Sequence, residues 1–139
     1  QMIARALGDE SLPLYGDGGH VRDWLHVHDH VEALWRVCTQ GRIEDEVYNI
    51  GGNAERRNID VATTILETLG KPVSRIELVA DRPGHDRRYA INSSRLRDTL
   101  GWTPSRVFED GLRATIAWYL ENRQWWEHAF ARSSHHASV

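Results

Sequence analysis

Between Asp60 and Val79 the hydrophobic spacing changes from helical to extended, and that change marks the chain as mixed α/β. Val61, Ala62, Ile65, Leu66 and Leu69 recur at helical intervals until Gly70 and Pro72 stop the run. Ile76-Glu77-Leu78-Val79 then reads as a strand that feeds Asp81-Arg82-Pro83-Gly84-His85-Asp86-Arg87-Arg88-Tyr89. Three guanidinium groups and an imidazole in a Pro-Gly loop suit a compact anion, because a guanidinium fork makes two parallel hydrogen bonds to phosphate. The competing reading is a surface turn in which Asp81 and Asp86 pair with the arginines, and exposed pairs of that kind carry little energy.

The remaining elements follow from spacing and punctuation. Residues 1–8 read as helix ending at Gly8, and Leu12 to Tyr15 as an extended segment before a Gly16-Asp17-Gly18-Gly19 turn. Arg22 to Val27 alternates as a strand with Trp24 and His26 on one side. A helix from Asp29 places Val31, Leu34, Trp35, Val37 and Cys38 on an apolar, core-facing side. Val47 to Ile50 and Arg88 to Ile91 read as short strands, and Ser93 or Ser94 as the cap of a helix that stops at Gly101. Phe108, Leu112, Ile116, Tyr119 and Leu120 define an amphipathic helix. Residues 1–130 are expected to form the folded part and 131–139 a disordered tail. The order lacks the regular strand–helix alternation of a complete doubly wound sheet.

Composition narrows the function classes. At 139 residues and 40% hydrophobic, the chain has the size and apolar content of one domain. A net charge of −3, with no basic helix or stripe, argues against nucleic acid. No 18-residue apolar run suggests a membrane span, and the N-terminus is too charged for a signal peptide. Position 1 is Gln rather than Met, which hints at a fragment. Cys38 is the one cysteine, in keeping with a reducing cytoplasm. Sixteen arginines stand against one lysine, so only clustered arginines carry weight.

Two further segments carry chemistry. In Pro13 to Trp24, Tyr15 can lie against a base or sugar and Arg22 supplies charge, although a plain turn with core aromatics explains the same residues. Asn58, just before the helix that starts near Asp60, reads as a cap and sits where a helix N-terminus attracts anions. Arg56 and Arg57 read as solvent-facing loop charges. His26, His28 and His30 invite a metal, but a helix starting at His28 or Asp29 breaks their common face. Neither a Gly-rich dinucleotide loop nor a Tyr-x-x-x-Lys pair is present, so no redox centre is expected on these residues.

The motifs resemble, in order, those of one family. Leu12-Pro13-Leu14-Tyr15-Gly16 with Val21-Arg22-Asp23-Trp24-Leu25, Tyr48-Asn49-Ile50-Gly51-Gly52 and the Asp81 to Ile91 segment come first. Leu100-Gly101-Trp102-Thr103-Pro104 and Trp118-Tyr119-Leu120-Glu121-Asn122 complete the series. Together they resemble the C-terminal part of the dTDP-glucose 4,6-dehydratase family, within the extended short-chain dehydrogenases/reductases. His26 and His28 depart from the Tyr and acidic residue expected after Trp24-Leu25. The resemblance implies an α/β C-terminal substrate-binding portion without the Rossmann cofactor half, in a cytoplasmic and usually homodimeric lyase. It implies NAD and the catalytic residues on the missing N-terminal Rossmann half, and dTDP-glucose or a similar nucleotide-sugar as partner of this part. It places Pro13 and Tyr15 near the thymidine, Arg22 and Arg82 on the diphosphate, and Asn58 and His85 on the phosphate or ribose. Arg87, Arg88 and Tyr89 support the loop. A related epimerase, decarboxylase or GDP-mannose dehydratase, or a non-catalytic nucleotide-sugar-binding remnant, is the alternative.

Overall fold

The computed structural model describes residues 1–41 and 47–134, with side chains to residue 129. Helix α1 (Met2–Leu7) leads into strand β1 (Leu12–Tyr15), and a glycine turn returns the chain as β2 (Val21–Asp23). Helix α2 (Val27–Gln40), strand β3 (Glu55–Arg57) and helix α3 (Asn58–Thr68) follow, then a 3-10 turn (Val73–Arg75) and β4 (Ile76–Val79). The last third is helical: α4 (Ser94–Leu100), α5 (Phe108–Glu121) and α6 (Arg123–Ser134). This is a mixture of helices and short strands.

β1 and β4 pair in parallel, with Leu12 opposite Ile76 and Tyr15 opposite Val79. A parallel pair needs a crossover, here everything from β2 to the 3-10 turn. β1 alternates strictly: Leu12 and Leu14 are buried while Pro13 and Tyr15 are exposed. Leu12 and Leu14 meet Ile3 and Ala6 of α1, Val61, Ala62, Ile65 and Leu66 of α3, and Ile116 of α5. Each fully buried aliphatic side chain there contributes about 1.5–3 kcal/mol. A second cluster joins Ala33 of α2, Leu96 of α4 and Trp102, flanked by Tyr48 and Ile50. β2 and β3 form a separate antiparallel pair, with Arg22 opposite Arg56.

Several expectations are corrected. α2 starts at Val27, with the His26 imidazole capping it by accepting from the His28 N–H at 3.3 Å. α2 packs inward through Ala33 and Val37, so Val31, Leu34, Trp35 and Cys38 are exposed rather than core-facing. Residues 47–50 form no strand; Tyr48 and Ile50 instead lie against the second cluster. Near Arg88 only an isolated bridge to Val21 forms. β3 runs straight into α3, so Arg57 occupies the cap position and Asn58 is already helical. Arg56 and Arg57 lie on β3 rather than in a loop; Arg57 is solvent-facing as expected, with its guanidinium on Asp60 at 2.7 and 2.8 Å. At α4 the capping acceptor is the Asn92 side chain, which takes the Ser94 N–H at 3.0 Å. α6 continues to Ser134, past the expected boundary at 131, and residues 135–139 lie outside the described residues. Among the described residues no helix is long and apolar enough to cross a membrane.

Candidate functional site

The glycine turn between β1 and β2 gathers the distant motifs. On one side its backbone accepts from α3: Asn58 N–H to the His20 carbonyl and Ile59 N–H to the Gly18 carbonyl, both at 2.9 Å. On the other it holds the arginine loop, with Val21 N–H donating to the Arg87 carbonyl at 2.9 Å and Tyr89 N–H to the Val21 carbonyl at 3.0 Å. Gly18 sits at φ +71°, and a Cβ there would lie 3.0 Å from the Ile59 Cβ. Gly84 turns the arginine loop at φ +69° in open space, so conformation rather than room requires the glycine.

Beside this hub lies a cavity of about 720 Å³, within the size range of small-molecule sites. Pro13, Tyr15, Arg22, Asn58, Arg82 and His85 all line it, along with Trp24, Phe108 and Leu112. All four residues of β1 border the cavity, Pro13 and Tyr15 being its exposed pair, and β2 supplies Arg22. Among the described residues four arginines line the cavity, Arg5, Arg22, Arg82 and Arg106, and no acidic residue does.

The arginines divide into two sets. Arg87 binds Asp17 through two hydrogen bonds at 2.6 and 2.8 Å, and Arg88 binds Glu55 at 2.6 and 2.7 Å. Those bonds hold the Asp17 and Glu55 carboxyls below the ordinary carboxylate range, and they brace the loop against the turn and β3. Arg22 and Arg82, by contrast, form no ion pair among the described residues. Arg22 donates to the Val21 carbonyl at 2.7 Å and the Asp86 carbonyl at 3.0 Å, and lies 4.4 Å over the Tyr89 ring. Arg82 lies 5.6 Å from the Tyr15 ring centroid. The pairing of Asp81 and Asp86 with the arginines that the competing surface-turn reading supposes does not form among the described residues. Asp86 accepts from the Tyr89 hydroxyl at 2.6 Å, which pushes that phenol above its ordinary range. Asp81 accepts from His85 Nδ1 at 2.7 Å and from the Arg82 N–H at 2.9 Å.

Sequence reasoning missed His20 and Asp81. The His20 ring is buried, stacks on His85 at 3.9 Å between centroids, and brings Nε2 to 3.2 Å from Asp81 Oδ2. A histidine in a glycine-rich turn gives no periodic sign of burial, although Asp81 four residues before His85 was a readable spacing. Of His26, His28 and His30, the first two make ring contact, and among the described residues the His/Asp group close enough to share an ion is His20, Asp81 and His85.

The described residues do not fit NAD. A dinucleotide pyrophosphate needs glycines at a strand-to-helix turn, yet Trp24-Leu25-His26 leads from β2 to α2 and β3 runs into α3 with no intervening residue. The cavity arginines suit a phosphate-bearing ligand by charge alone.

Comparison with known proteins agrees with this division. The chain is 53% identical over 133 residues to a dTDP-glucose 4,6-dehydratase of Xanthomonas campestris pv. campestris, covering 89% of this chain and 38% of that protein. It superposes on a crystal structure of dTDP-glucose 4,6-dehydratase from Bacillus anthracis in complex with NAD. That match has TM-score 0.83 and 50% identity over 91% of this chain and 40% of the other. DesIV of Streptomyces venezuelae, a dTDP-glucose 4,6-dehydratase solved with NAD and TYD bound, matches with TM-score 0.85 and 42% identity, over 91% and 39% of the two chains. The chain thus spans about 38% of the length of the curated relative, corresponding to the C-terminal part. Residues 1–115 match the family described as GDP-mannose 4,6 dehydratase, and the chain belongs to that family.

Proposed function

We propose that this chain is the nucleotide-sugar-binding part of a dTDP-glucose 4,6-dehydratase. The observation that carries the reading is a cavity lined, among the described residues, by four arginines and no carboxylate, in which Arg22 and Arg82 have no anionic partner among those residues. Half-buried Arg22 and exposed Arg82, both on the cavity wall without a carboxylate partner among the described residues, are free to take an anionic ligand, and two guanidinium groups from separate segments suit a diphosphate. In this reading Arg22 and Arg82 hold the diphosphate, and Pro13 and Tyr15 lie along the thymidine. Asn58, in the first turn of α3, and His85 add hydrogen bonds to phosphate or ribose.

The whole enzyme oxidises the glucosyl C4, eliminates water across C5 and C6, and returns the hydride to C6. NAD would be held by residues of an N-terminal Rossmann half, not by this chain, and would supply the redox chemistry, taking up the C4 hydride and giving it back at C6. This chain's residues bind and orient the nucleotide, and binding energy of that kind positions the sugar for chemistry elsewhere. A cytoplasmic setting goes with the reading. So do contact with the Rossmann half and homodimer formation, and the exposed stripe of Val27, Val31, Leu34 and Trp35 on α2 supports a protein-covered surface.

The test is a competition series with dTDP-, UDP- and GDP-glucose on the full chain. Preference for the dTDP sugar supports the reading, and preference for GDP-glucose overturns it in favour of a GDP-sugar substrate within the same family.

A further inference from the structure

His20, Asp81 and His85 form a cluster whose role the arginine clamp does not by itself explain. Their ligating atoms lie within 4.8 Å of one another, close enough for a shared metal ion. The neighbouring Arg22 decides against that use. Arg22 Nη2 lies 2.9 Å from His85 Nε2, and a guanidinium nitrogen only donates. His85 Nε2 must therefore present its lone pair, so the ring proton sits on Nδ1, 2.7 Å from Asp81 Oδ1. A metal on Nδ1 would move that proton to Nε2 and set it against the Arg22 donor.

We propose that Asp81, backed by His20, is a positioning element for the anion site: it fixes the His85 tautomer that receives Arg22. Asp81 is shared between two imidazoles, with His85 Nδ1 on Oδ1 and His20 Nε2 3.2 Å from Oδ2. His20 is buried, and its Nδ1 has no hydrogen-bond partner, so a second proton there would be stranded. That leaves the His20 proton on Nε2, facing Asp81. The ring also stacks flat on His85, tilted by 21°, and so limits rotation of that imidazole. Tyr15 meets the His85 ring edge-on at 5.6 Å between centroids, and the Arg82 guanidinium lies over the Tyr15 ring. The ordered set runs from His20 through Asp81 and His85 to Arg22. Its purpose is to present one guanidinium, already oriented, to a diphosphate.

The affinity part rests on the reading of the cavity as a diphosphate site; the tautomer part does not. The experiment is ¹⁵N–¹H NMR of the histidine rings in the full, ligand-free chain, with His85 assigned by its loss in His85→Gln. The expected spectrum shows His85 protonated on Nδ1, and shows that preference lost in Asp81→Asn. Affinity for dTDP should fall about five- to tenfold in Asp81→Asn, the equivalent of one hydrogen bond. His20→Ala should give a similar loss, and His20→Gln, which restores a donor to Asp81, should recover it. Protonation of His85 on Nε2 in the native chain overturns the proposal, as does saturable zinc binding that perturbs both histidines. If dTDP fails to bind while the Nδ1–H tautomer is present, the diphosphate reading falls and the positioning set stands.

Discussion

The carboxylate of Asp29 accepts the Ser105 hydroxyl at 2.6 Å across 76 residues of sequence, and thereby fastens the start of α2 to the loop before α5. The Ser105 and Arg106 N–H groups also point at it, each at 3.3 Å. Asp29 is 2% exposed while Ser105 and Arg106 are exposed, so replacing it breaks the fastening but leaves those donors open to water. Asp29→Ala should cost about 1–2 kcal/mol, read by urea denaturation. Burial alone would raise this carboxyl, but the Ser105 and Arg106 hydrogen bonds outweigh it and hold it below the ordinary range. Its contribution is therefore present above the unfolded carboxyl range near pH ~4 and lost as pH falls through the lower folded value. The native chain should lose more stability on acidification from pH 5 to pH 3 than Asp29→Ala does.

Gly84 is the one residue of the arginine loop held at positive φ. Gly84→Ala meets no neighbour, so its cost is conformational, about 1–2 kcal/mol. Part of that cost should appear as weaker dTDP binding, measured by calorimetry, because Arg82 and His85 flank the turn.

The exposed stripe on α2 predicts self-association when nothing covers it. Trp35 is 68% exposed and Val31 57% exposed, one helical turn apart. Trp35→Glu with Val31→Glu should shift the chain toward monomer in size-exclusion chromatography. Stability should change by no more than about 0.5 kcal/mol per site, as usual for surface positions.

The 139 residues alone are expected to form no keto-sugar from dTDP-glucose and NAD, because they carry neither a dinucleotide loop nor a Tyr-x-x-x-Lys pair. Appearance of product in that incubation would show catalytic groups that the sequence does not reveal.

The sequence exposed those elements whose local pattern and tertiary role agree. Helices α3 and α5 follow their hydrophobic period because Val61, Ala62, Ile65, Leu66, Leu112 and Ile116 face the main core, whereas in β4 only Ile76 packs on it and Leu78 is exposed. α2 misled, because its broad apolar face includes residues turned to the outside while only Ala33 and Val37 pack inward. β3, Glu-Arg-Arg, has no apolar alternation at all and exists because β2 pairs with it. α6 was missed for want of a clean period, with Trp125 exposed beside buried Trp126. At the site, charge clustering picked out the loop, and the cavity gathers Arg22, Asn58 and Arg82 from three separate elements or loops. The division of labour among the arginines was not readable. It depends on Asp17 and Glu55, 70 and 33 residues away from their partners.

The account stands most directly on titration of the full chain with dTDP and with thymidine. Its prediction is that dTDP binds at least about tenfold more tightly, that added salt weakens it, and that Arg22→Ala or Arg82→Ala removes the difference, each charged contact contributing about 1.5–3 kcal/mol. Equal binding of thymidine and dTDP, or dTDP binding indifferent to both substitutions, would contradict it.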